Sequence, residues 1–124
     1  MSDAVDWHAV MGFRPVVRKG PLVAVSGVGG RRDADGEFVD GDTYAQTVAA
    51  LRKIERSLAS VGAGVRHVVH TRVYLRNAED WPLAGRAHGE MFATGDVALT
   101  MVEAKLVDPE MLVELDVLAW LPES

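Results

Sequence analysis

No cysteine occurs in the 124 residues. Disulfide frameworks, thiol nucleophiles and thiolate metal sites are therefore excluded, and the composition suits a reducing compartment. Positive charge is also in short supply. Thirteen Lys and Arg against eighteen Asp and Glu leave a formal charge of −5. That is the wrong sign for a nucleic-acid or anionic-membrane partner, because both surfaces are polyanions. The Arg31-Arg32 pair is too short to reverse the balance. No apolar run approaches the length needed to span a bilayer, and the opening M-S-D-A-V-D-W-H is acidic rather than apolar. Repeats, low-complexity tracts and linkers are missing as well. With 48% hydrophobic residues, the expectation is a soluble, cytoplasmic chain folded as one domain over residues 1–124.

The elements are marked by period and punctuation. Residues 12–18 and 21–26 read as two strands around a Lys19-Gly20 turn, and Asp33-Ala34-Asp35-Gly36 marks a second turn. Thr43 and Gln46 have capping-box spacing. Tyr44, Val48, Leu51, Ile54, Leu58 and Val61 recur at helical period, and Gly62 is placed to end that helix. Residues 66–76 alternate and are rich in β-branched side chains, which predicts a strand. Asp80-Trp81-Pro82 then opens a second helix running to about Phe92. Residues 97–106 and 111–120 read as a closing strand pair joined by a short turn. The order is ββαβαββ, an α+β sandwich.

Strand parity sorts the side chains onto two faces. Val69, Thr71, Val73 and Leu75 share one face, as do Met111, Val113, Leu115, Val117 and Ala119; these suit helix packing. The other face is mixed, with Val68, His70, Arg72 and Tyr74 beside Leu112, Glu114, Asp116, Leu118 and Trp120. Two helices cover one side of such a sheet, so the second side calls for another cover, most simply a copy of the chain. Carboxylates within apolar strands are costly to bury unless paired, hydrated or directed at a ligand. For Glu103, Glu114 and Asp116, pairing with Arg72 and a role in chemistry both stand open.

Other candidates are weaker. His67 and His70 have a ligand-like spacing, but residues three apart in a strand point to opposite faces, so neither a metal nor a cofactor is expected. S-G-V-G-G-R-R, residues 26–32, fails the dinucleotide fingerprint at Arg32 and reads as a plain loop. Gly85 and Gly89 weaken the second helix by about 1 kcal/mol each relative to alanine, which suggests close approach by a neighbour or ligand. Arg86, His88 and Glu90 are interleaved with them.

Taken together, V-S-G at residues 25–27, the A-Q-T helix, V-V-H-T-R-V-Y-L at 68–75 and M-V-E-A…L-V-E-L-D near the end resemble the Rid (YjgF) family over about residues 12–120. The resemblance implies a chorismate-mutase-like sandwich, a mixed sheet with two helices on one face. It also implies a homotrimer with small-molecule pockets between subunits. Best-known members hydrolyse enamines and imines such as 2-aminoacrylate to 2-oxo acids and ammonia. Residues 98–103 align with the family's alanine-arginine-serine-x-valine-glutamate run, so Leu99 replaces the arginine that grips a substrate carboxylate. Glu114 falls at the glutamate thought to position the attacking water. Phe13 matches a tyrosine position, Gly85 an asparagine position, and Ser26 and Gly27 supply backbone donors. Arg72, His88 and Met101 complete the expected ligand-binding set, with Arg72 or Arg86 available in place of the missing arginine. A branch with T-M-V-E and D-P-E-M-L-V-E in its last strands and no arginine is more similar still. Leucine cannot reproduce a bidentate guanidinium. The best reading is therefore a Rid-type hydrolase for a less anionic ligand, with Glu114 catalytic. The alternative is a non-catalytic trimeric binding or regulatory module. Ribonuclease activity ranks third, for want of positive charge and of a His–His or His–Lys pair.

Overall fold

The computed structural model describes residues 4–122. A short helix that the periodicity did not reveal, α1 (Trp7–Met11), precedes the strands. Asp6 caps it by accepting from the Ala9 N–H at 3.3 Å, and Gly12 ends it at φ 73°. Gly12 thus terminates a helix instead of opening a strand, and β1 is only Val16–Lys19. The chain continues with β2 (Leu22–Gly29), α2 (Thr43–Ser60), β3 (Val68–Leu75), α3 (Trp81–Met91), β4 (Ala98–Glu103) and β5 (Val113–Trp120). After α1 the order is ββαβαββ, as the sequence predicts. Among the described residues no helix is long and apolar enough to cross a membrane.

The five strands form one mixed sheet in the order β1-β2-β5-β3-β4, with β3 and β4 parallel and the other pairs antiparallel. This corrects the closing strand pair: β4 and β5 are not neighbours, because β3 lies between them. The connection between them is pinned across the end of β3. Arg76 donates from Nε to the Met111 carbonyl at 2.6 Å and from Nη2 to the Asp108 carbonyl at 2.7 Å. The Arg76 N–H reaches the Leu112 carbonyl at 3.0 Å. From the helix side, Gln46 donates to the Glu110 carbonyl at 3.3 Å and accepts from the Leu112 N–H at 2.9 Å. A local turn has no counterpart to these bonds.

That use of Gln46 also overturns the capping box. Asp42 caps α2 by accepting from Ala45 N–H at 3.0 Å. Thr43 instead donates to Asp80 at 2.8 Å, joining α2 to the start of α3. Gly62 ends α2 at φ 85°, where a side chain would be strained.

Both helices pack on one face. Leu51, Ile54 and Leu58 from α2 and Ala84 and Ala87 from α3 are buried against Val73, Leu75, Leu115 and Val117. Each large apolar side chain so buried contributes about 1.5–3 kcal/mol. Parity fails at one point. The β3–β5 register slips between Val68 and His70, so Val68 is buried in the core and Val69 is 54% exposed, the reverse of simple alternation.

The S-G-V-G-G run is not a plain loop, since Ser26 to Gly29 belong to β2, with a register slip between Val25 and Val28. A Cβ at Gly27 would strike the Glu114 carboxylate, one at Gly29 the Met111 side chain, and one at Gly30 the Gln46 backbone carbonyl. Gly85 and Gly89 differ, because a Cβ at either meets nothing within 4 Å in this chain. Gly30→Ala should therefore destabilise by about 1–3 kcal/mol or more, since backbone must move. Gly85→Ala should stabilise the isolated fold by about 0.5–1 kcal/mol. Denaturant titration of the two variants checks both signs.

Candidate functional site

The sheet face opposite the helices carries the convergent polar groups. Asp116 on β5 is the hub. Arg72 on β3 donates from Nε to its Oδ1 at 2.7 Å, and the Tyr74 hydroxyl donates to its Oδ2 at 2.8 Å. Beside it, His70 Nε2 lies 3.0 Å from the Thr100 hydroxyl. Tyr74 was not among the sequence candidates, although parity alone places it on this face next to Arg72.

Glu114 is set apart from that network. It faces Tyr74 across the β3 ladder and Gly29 across the β2 ladder. Its carboxylate lies over Gly27, in space that any other side chain at that position would fill. Among the described residues it has no hydrogen-bond or ion-pair partner. Partial burial raises its pKa above the ordinary carboxylate range, and the nearby Asp116 charge adds to the shift. The open question about the strand-borne acids divides three ways. Asp116 is paired, Glu103 accepts the Ala78 N–H at 2.8 Å at the start of the second helical region, and Glu114 has no bonded partner among the described residues.

Ser26 lies on the same face but is occupied. Its N–H donates to the Pro15 carbonyl at 2.9 Å and its hydroxyl to the Arg14 carbonyl at 2.7 Å. It anchors the segment that carries Phe13, which packs edge-on against His8 at 4.6 Å. Both Ser26 donors are thus spent within the chain, and Gly27 is the glycine lying against Glu114.

The remaining candidates lie on the helix side. Leu99 and Met101 register with Thr71 and Val73 on β3, so they share the core-facing side of the edge strand. Met101 packs on the core, while Leu99 is 44% exposed. His88 on α3 is buried, its Nε2 2.8 Å from the Thr71 hydroxyl and its ring 4.6 Å from that of Phe92. Burial lowers its pKa, so the neutral imidazole is favoured. Gly85 is on the same helix, and Arg86 lies 5.5 Å from the Tyr44 ring on the outer layer. One chain therefore does not bring Leu99, Met101 and His88 together with Glu114 and Arg72; the sheet separates them.

The fold and the order of these residues along it match a known pattern. The family model described as endoribonuclease L-PSP covers residues 4–121. The chain belongs to the Rid (YjgF) family. SCO2049 of Streptomyces coelicolor is 32% identical over 121 residues, spanning 97% of this chain and 90% of that protein. The 3-aminoacrylate deaminase RutC of Acinetobacter baylyi is 28% identical over 103 residues, 83% of this chain and 82% of RutC. The crystal structure of Rv2704 from Mycobacterium tuberculosis, a member of the YjgF/YER057c/UK114 family, superposes with a TM-score of 0.82. It shows 34% identity and covers 97% of this chain and 96% of that one. The Rid-family fold accounts for the mixed sheet with both helices on one face.

The Glu114 environment has a measurable consequence. An acid whose folded pKa is raised binds its proton more tightly when folded, so its contribution to stability is present below the ordinary carboxylate pKa and is lost as pH rises through the folded value. Glu114→Gln should match wild type in acid and become progressively more stable than wild type toward neutrality. Asp116→Asn should bring the Glu114 pKa down while leaving it above the ordinary range, because burial remains. Denaturant melts across pH and carboxyl NMR titration read the two effects.

Proposed function

We propose that this protein is a cytoplasmic homotrimer that hydrolyses a small imine or enamine in pockets between subunits, with Glu114 activating water. The observation that carries the reading is the solitary Glu114 carboxylate. It is half-buried, without a bonded partner among the described residues and set against a glycine, while the neighbouring Asp116 is already paired with Arg72. A raised pKa makes the carboxylate a stronger base. It accepts a proton from water as the water oxygen adds to the imine carbon, and passes that proton to the nitrogen to give a carbinolamine. It then carries the hydroxyl proton to the nitrogen as the carbonyl forms, the C–N bond breaks and ammonia leaves. Similarity to a 3-aminoacrylate deaminase supports this reaction class.

The placement of the two residue sets supports a pocket between copies. Glu114 and Arg72 lie on the open sheet face, whereas Leu99, Met101 and His88 lie on the helix side, so a site using both sets needs two chains. The open face also exposes Leu22, Leu118 and Trp120 at 47%, 38% and 53%, an apolar area that a second copy would cover. Multi-angle light scattering should give three times the 13.4 kDa chain mass, and Leu118→Asp should dissociate the assembly. A monomer at micromolar concentration overturns the trimer.

With Leu99 at the carboxylate-gripping position, the wild type should turn over neutral imines better than 2-aminoacrylate. Glu114→Gln should lower that rate by about 10²-fold or more with folding retained. Leu99→Arg should improve use of the carboxylate substrate by roughly ten- to a hundredfold. The engaged Ser26 donors favour a second reading, a trimeric metabolite-binding module. A stable metabolite that copurifies and is returned unchanged would favour that alternative, and a bound enamine, imine or keto acid the hydrolase.

A further inference from the structure

Beyond β2 the chain runs through Gly30, Arg31 and Arg32, a stretch that the Glu114 site does not use. Here Arg31, Arg32, Phe38, Lys53, Asp108 and Glu110 line a cleft of about 620 Å³. The guanidinium carbons of Arg31 and Arg32 lie 4.4 and 3.6 Å from the centroid of the Phe38 ring. Each guanidinium has five N–H donors. Arg31 spends part of this capacity on an ion pair with Glu110, and Arg32 on the Gly36 carbonyl at 2.6 Å. Lys53, on α2, has no hydrogen-bond or ion-pair partner among the described residues. It is half-buried, and that burial lowers its pKa against a weaker upward pull from Asp33.

Each acid nearby has one oxygen engaged. Asp33 Oδ1 accepts from the Asp35 and Glu37 N–H groups at 2.9 and 3.0 Å, Asp108 Oδ1 accepts from the Glu110 N–H at 2.9 Å, and Glu110 holds Arg31. Three cations against Asp108 and Glu110 leave the lining with an excess of N–H donors, and among the described residues the Lys53 ammonium has no bonded partner. Phe38 holds both guanidiniums by cation–π contact, so less side-chain freedom is lost when they grip a ligand.

We propose that this cleft binds a compact divalent oxyanion, inorganic phosphate or a phosphate monoester, through Lys53 and Arg32, with Arg31 as the flanking charge. A planar fork and a point charge lining one cleft suit tetrahedral oxygens carrying two charges. The overall charge of −5 opposes a nucleic-acid strand, whose many phosphates need an extended basic surface.

The test is an amide NMR titration of the intact protein with inorganic phosphate and, separately, glycerol 3-phosphate, at constant ionic strength set with sodium chloride. Saturable shifts centred on Arg31, Arg32 and Lys53 are expected. Tighter binding of the ester identifies an esterified ligand, and equal binding identifies phosphate itself. Lys53→Met and Arg32→Gln should each weaken binding about tenfold or more, while Lys53→Arg should retain it within a few-fold. Shifts that never saturate and follow ionic strength, or saturable binding unchanged in a folded Lys53→Met protein, overturn the proposal.

Discussion

Strand β5 is paired on both sides and is the element through which the two halves of the sheet communicate. Alternation along it is strict: Val113, Leu115, Val117 and Ala119 are buried beneath the helices, and Glu114 and Asp116 therefore point to the opposite face. A one-residue slip would place both acids in the helix-covered core and the apolar set in the open. Burial of those apolar residues fixes the register, and the register fixes the acids. The position of Glu114 is thus a by-product of core formation.

Holding β5 at the centre depends on bonds made outside any strand. Arg76 at the end of β3 and Gln46 on α2 satisfy the backbone of the segment entering β5 from two sides. Buried backbone groups need partners, and here side chains supply them where a hairpin would have used its own turn. β5 consequently enters between β2 and β3, and β4 is left as a parallel edge.

Two carboxylates one residue apart on either side of Leu115 reach different electrostatic states on this scaffold. Asp116 accepts from a guanidinium and a phenol, so both of its oxygens are engaged within the chain. Glu114 leans over Gly27 into a partly desolvated space, and that burial together with the Asp116 charge favours its neutral form. The same face thus carries one acid bound by side-chain donors and one acid set against a glycine. Gly27, Gly29 and Gly30 make the surrounding contacts possible, each by omitting a side chain where another group lies.

Local pattern in the sequence determined the two long helices, the strand order along the chain and the face assignments of β5, because periods of two and 3.6 residues record which side of an element meets the core. The resemblance to the Rid family was legible in the same segments and agrees with the family assignment. Tertiary structure alone decided what depends on residues far apart. It placed β3 between β4 and β5, moved Val68 rather than Val69 into the core through a register slip, drew Gln46 from a cap to a crossover, and allotted Arg72 to Asp116 in preference to Glu114. It also gathered Arg31, Arg32 and Lys53 into one cleft. Periodicity reports a residue's face within its own element; partner choice is settled by competition among donors and acceptors that only folding brings within bonding distance.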